Sequence, residues 1–176
     1  MKKALLVPML VVLFALPARA QTAHFTGRDL VIKDSGKTIK IARFLPTVVP
    51  PDPPCVHSVE KRDGEFFVVV TTHEWSRGSP MPRGECGAGE ESYVKWLHIV
   101  NGKVKESFDG LYESCLKNRD GSVVGWNGPL FVVTTDAELP DKVQANAKDI
   151  WSTITFTFDA HHPEQGLKEE DGPPHS

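Results

Sequence analysis

This chain predicts an all-β, mainly antiparallel single domain, built as a sandwich or as a meander or barrel-like sheet, with at most one short helix near the C-terminus. Apolar and polar residues alternate with a period of two over much of the chain. Turn signals rich in Gly, Asn and Asp separate short apolar runs about every ten residues, the pattern of sandwiches, barrels and meanders. No long stretch sustains helical periodicity.

The first segment, 1–20, is not part of that domain. Lys2 and Lys3 form a basic start, 4–16 is an apolar run, and Ala18-Arg19-Ala20 is an A-x-A cleavage site, which together read as a secretory signal peptide. The run is shorter than the roughly 20 residues of a membrane-spanning helix, so the mature chain is expected to start at Gln21 in an oxidising space, periplasmic or secreted. The body is then a single β domain over 21–159, followed by a polar tail at 160–176 that is expected to be disordered.

Leu30 and Ile32, the turn Asp34-Ser35-Gly36-Lys37, and Ile39 and Ile41 predict a first hairpin. Five prolines within 46–54 cannot donate to a ladder and predict an extended edge or connector. Arg62-Asp63-Gly64 joins runs at 56–61 and 65–73, and the apolar stretch 66–70 predicts a central strand covered on both faces. The segment 74–91 is broken by Gly and Pro and reads as a long loop. Beyond it, 92–100 splits into one face with Val94, Trp96 and Val100 and another with Tyr93, Leu97 and Ile99. Asn101-Gly102 turns the chain back into 103–108, and Asp109-Gly110 is read as a turn before 111–115. Asp120-Gly121 and Asn127-Gly128 bracket a strand at 122–126, and 129–135 returns from it. Pro140 and Asp141 open the one helix expected, over 142–150. In 151–159, Ile154, Phe156 and Phe158 form one face and three threonines the other. Trp96, Trp126 and Trp151 lie in strand patterns and are expected in or near the core.

The whole chain has a formal net charge of −3, and removing the leader with Lys2, Lys3 and Arg19 makes the mature chain −6. That sign argues against nucleic acid or an anionic membrane surface as partner. Three cysteines suggest one disulfide and one odd thiol. Counting register outward from Asn101-Gly102 brings Cys115 near position 88, so the expected bridge is Cys86–Cys115, with a Cys55–Cys86 bridge as the rival pairing. Cys55 then remains as a half-buried thiol beside the prolines.

Catalytic and metal signatures fail on inspection. His73-Glu74 begins like H-E-x-x-H, but the fifth residue is Arg77 and the pair ends a strand, so no helical ligand face forms. His161-His162 lies in the polar tail, and Asn118-Arg119-Asp120-Gly121 lacks the carboxylates of a calcium loop and reads as a turn. Carboxylate pairs could be drawn from Glu85, Glu90, Glu91 and Glu113, with a separation the sequence does not give. No nucleophile elbow, P-loop or dinucleotide fingerprint occurs, so no catalytic residue, metal or cofactor is assigned.

The long loop is different. Trp75, Arg77, Met81 and Arg83 are side chains of the interface-anchor type, set among prolines that reduce the entropy lost on binding. The expectation is a secreted or periplasmic, non-enzymatic binding protein with a protein partner, an inhibitor or immunity protein against a cell-wall hydrolase or toxin. The alternatives are a small-ligand or envelope-component binding barrel and an enzyme with an unrecognised site.

Overall fold

A computed structural model describes residues 21–47, 52–76, 89–114, 116–138 and 150–175. They are nearly all antiparallel β, and their one helical element is a short 3-10 turn at Pro163–Gln165. The leader at 1–20, the residues Arg77, Met81, Arg83 and Glu85, both cysteines of the expected bridge and the helix expected at 142–150 lie outside or all but outside the described residues.

Strands β1 (Thr22–Thr26), β2 (Asp29–Asp34) and β3 (Lys37–Ile41) form a three-stranded sheet. The other eight follow in chain order as one meander: β4 (Cys55–Arg62), β5 (Glu65–Trp75), β6 (Glu90–Val100), β7 (Lys103–Ser114), β8 (Arg119–Asn127), β9 (Leu130–Glu138), β10 (Trp151–Asp159) and β11 (Leu167–His175). The hairpins expected at Asp63-Gly64 and Asn101-Gly102 form. Each puts two successive residues at positive φ, 51° and 85° in the first and 50° and 75° in the second, as tight turns between twisted strands require.

The meander is folded over on itself. β7 and β8 share only the pair Ser114↔Arg119, so β4–β7 and β8–β11 behave as two half-sheets hinged at one corner. Between them lies the larger core, with Phe67, Val69, Val94, Trp96 and Tyr112 on one side and Phe131, Val133, Ile154, Phe156, Phe158 and Leu167 on the other. The halves cross steeply. His57, near the start of β4, stacks on Phe131, whereas Arg62, at its end, donates to Ala160 O; Phe131 and Ala160 both belong to the same end of the β9–β10 pair.

A second core covers the opposite face of β5 and β6, where Phe66, Val68, Val70, Leu97 and Ile99 meet Leu30 and Ile32 of the three-stranded sheet. β5 is therefore buried on both faces, as its unbroken apolar run predicts, and β6 divides between the two cores by alternation. Lys61 Nζ reaches Asp34 Oδ2 at 2.7 Å and ties the layers together, and this hydrogen bond holds the Asp34 carboxyl below the ordinary carboxylate range.

Several expectations are corrected. The tail read as disordered over 160–176 instead carries a strand over its described residues: β11 pairs with β10 from Trp151↔His175 to Phe158↔Leu167. That strand is held by backbone hydrogen bonds, the burial of Leu167 and a bond from Trp96 Nε1 to Pro163 O at 3.0 Å, none of which its polar composition reveals. Asp109-Gly110 is not a turn but lies within β7, where Gly110 admits the Phe156 ring. Asp120-Gly121 lies within β8. Trp126 is not core, with 47% of its surface exposed beside Phe131. Strand β1 was not anticipated, since only Ala23 and Phe25 mark its buried side. Cys55 is free and exposed rather than half-buried.

Candidate functional site

The polar residues that stand out converge at one end of the first half-sheet, where β5 and β7 finish and β4 and β6 begin. Strand pairing sets His73, Ser92 and Glu113 in one row across β5, β6 and β7. A bulge between Ser92 and Tyr93 adds Tyr112 to β7 as an extra residue, so that Tyr112 and Glu113 both approach Ser92. Ser92 Oγ donates to Glu113 Oε2 at 2.8 Å and lies 3.0 Å from His73 Nδ1. Two residue pairs further out, Glu90 faces Trp75 across the ladder, and its Oε1 lies 3.3 Å from His73 Nδ1. Asp52, from the segment preceding β4, completes the group: ligand-type atoms of Asp52, His73 and Glu90 all lie within 4.8 Å of one another.

Burial shapes the electrostatics of this end. Loss of solvent raises the Glu90 carboxyl above its ordinary value; His73 opposes that shift, and Asp52 and Glu113 add to it. Burial likewise raises the Tyr112 hydroxyl, against its hydrogen bond with Ser92. On the opposite face of the same strands, Lys95 Nζ bridges Glu74 at 2.8 Å and Asp109 at 3.2 Å, while Glu91 accepts from Tyr93 and Ser114.

Among the described residues, the buried side-chain polar atoms without a hydrogen-bond partner are Thr72 Oγ1, Trp75 Nε1, Ser76 Oγ and Glu90 Oε1. All four belong to the last turn-ward residues of β5, the residue after it, and the first residue of β6. Native interiors leave few such groups; those of Trp75, Ser76 and Glu90 adjoin one another at this end, whereas Thr72 lies on the opposite face of β5.

Of the predicted binding residues, Trp75 is placed at this end, closing β5, while Arg77, Met81 and Arg83 fall outside the described residues. Of the candidate carboxylates, Glu90 and Glu113 flank His73 and Ser92, and Glu91 is directed to Tyr93 and Ser114 instead. Ser92 is 1% exposed and gives its proton to Glu113, so it is not placed as a nucleophile activated by His73. Bulges at Ser92/Tyr93 and His98/Ile99 slip β7 along β6 relative to turn-centred counting and set Ser114 opposite Glu91, while Cys86 and Cys115 themselves lie outside the described residues.

Sequence reasoning missed Asp52, the pairing of His73 with Glu90, and His57. No local spacing signals them, since they come from separate segments joined only by strand register.

His57 gives this end a pH response. Its ring stacks on Phe131 at 4.4 Å and meets Thr71 Oγ1 at 2.9 Å, and burial lowers its pKa from 6.5. The unfolded chain therefore takes up a proton at higher pH than the folded one, so the stabilisation from neutral His57 is present above 6.5 and is lost as pH falls towards the lowered value. Denaturation midpoints measured from pH 7.5 to 5 should fall with acidity, and His57→Gln should flatten that slope. An equal slope in the variant would assign the response elsewhere.

Comparison of the chain with protein-family models, with curated proteins and with solved structures gives no match. The class defined by fold and site is thus an all-β protein of two crossed half-sheets and a covering three-stranded sheet, with a polar cluster at the β5–β6 end. Among the described residues no helix is long and apolar enough to cross a membrane.

Proposed function

We propose that this is an exported, non-enzymatic binding protein, an inhibitor or immunity protein that neutralises another protein through the segment 75–85. The observation that carries the reading is the set of unpartnered buried polar atoms at Trp75, Ser76 and Glu90, which frame the point where that segment leaves β5. A partner that supplies acceptors and donors there removes a desolvation cost of about 1–3 kcal/mol per group. Export is supported by the leader pattern at 1–20, and the interface by the Trp, Met and Arg content of the segment.

A small-ligand barrel is less well supported, because the space between the half-sheets is filled by Trp96, Phe131, Phe156 and Phe158. The cavity lined by Lys37, Lys40, Lys61, Phe66 and Asn101, of about 570 Å³, is an open surface cleft between the layers.

The test is alanine replacement at Trp75, Arg77, Met81 and Arg83, with binding measured against a partner captured by the mature protein from envelope extract. An anchor should cost about 2 kcal/mol or more of binding, near 30-fold in Kd, with little change in melting temperature where the side chain is exposed. Lower melting temperatures with unchanged affinity at all four positions would make the segment structural and defeat the reading.

A further inference from the structure

We propose that Asp52, His73 and Glu90 form a binding site for a divalent transition cation of the zinc type. One imidazole nitrogen and two carboxylate oxygens are the donor set that suits such an ion, and hard ions such as magnesium prefer oxygen alone. The three ligand atoms come from three separate chain segments and lie within 4.8 Å of one another. Their spacing suits a shared ion. With bonds of about 2.0–2.2 Å, two ligands of one tetrahedral ion stand roughly 3.4 Å apart, and His73 Nδ1 and Glu90 Oε1 are 3.3 Å apart.

A second observation points the same way. Glu90 Oε1 is buried yet makes no hydrogen bond, although the His73 nitrogen is close enough for one. A carboxylate oxygen held in that state has the His73 ion pair but no hydrogen bond, and a cation placed between it and the imidazole gives it a ligand bond instead. The surroundings hold the ligands in place. The ladder pairs His73↔Ser92 and Trp75↔Glu90 set the two ligand-bearing strands in register, and a cation taking His73 Nδ1 displaces its contact with Ser92 Oγ. Asp52 is exposed, so the third ligand lies on the solvent side, and three protein ligands leave a tetrahedral ion one position for water or for a group from a partner.

This inference shares the Glu90 Oε1 observation with the proposed function but needs no protein partner. It is tested on the full mature chain, freed of metal with chelator, by calorimetric titration with Zn2+ and by melting temperature with and without Zn2+. One equivalent should bind, raising the melting temperature. His73→Ala and Glu90→Gln should each weaken binding at least about tenfold and remove the thermal shift. Glu90→Gln keeps the side-chain shape and removes a half-buried charge, so an apo melting temperature at or near the native one separates loss of the site from loss of the fold. His161→Ala/His162→Ala, a variant at the exposed histidine pair outside the cluster, should bind as the native chain does. Failure of the native protein to bind, or binding lost in the His161/His162 variant but kept in His73→Ala and Glu90→Gln, would overturn the site.

Discussion

Gly121→Ala is expected to lose about 3 kcal/mol or more of stability, or to prevent folding, although it adds one methyl group. A Cβ at this position would stand 2.1 Å from the Tyr112 carbonyl oxygen and 2.7 Å from that of Thr134, and neither backbone atom can rotate away as a side chain could. The neighbours make the cost larger. Gly121 lies two residues beyond Arg119, whose pairing with Ser114 is the only ladder contact between the half-sheets among the described residues. Room for a methyl group requires β8 to move away from β7 or from β9, which opens the hinge on which the larger core depends. Urea denaturation followed by tryptophan fluorescence measures the loss, with Ser122→Ala as the neighbouring control. A midpoint within error of the native protein would show that the corner is looser than its geometry implies.

Phe156→Ala should cost about 3–5 kcal/mol, the range for removing a buried aromatic ring. Phe156 is fully buried at the centre of the core between the half-sheets, with its ring against Gly110 of β7 and tilted beside Phe108 at a centroid distance of 6.4 Å. Collapse cannot fill the gap easily, because the rings of Phe131 and Phe158 are fixed in the same sheet and Gly110 has no side chain to offer. Val124→Ala, at a residue 63% exposed, should change stability by less than about 0.5 kcal/mol in the same assay. Similar losses for the two variants would mean that the half-sheets are not held by this core.

Much of the fold was readable because strand alternation and turn chemistry are local. Ile154, Phe156 and Phe158 announce the buried side of β10, and the apolar run 66–70 announces a strand with two covered faces. Asp63-Gly64 and Asn101-Gly102 announce their hairpins because few residue pairs tolerate two positive φ angles in succession. Gly110 and Gly121 deceived for the same reason that makes glycine informative. Asp-Gly suggests a turn, but these two glycines are in strands because another chain atom occupies the place of a side chain.

The candidate site was scarcely legible. His73 drew notice through its neighbour Glu74, whereas strand pairing brings it to Ser92 and to Glu90, and Glu74 points to Lys95 instead. That substitution of partners is a consequence of strand alternation, which puts His73 and Glu74 on opposite faces, and of β5–β6 register, which joins segments that no local spacing links. The sequence by itself determined the all-β class, the order of most hairpins and the two-faced burial of β5, since each depends on residues within a few positions of one another. Tertiary structure alone decided that the meander folds into crossed half-sheets, that the polar tail becomes β11, and that Asp52, His73 and Glu90 meet, because those outcomes depend on long-range backbone pairing and close packing between segments far apart in the chain.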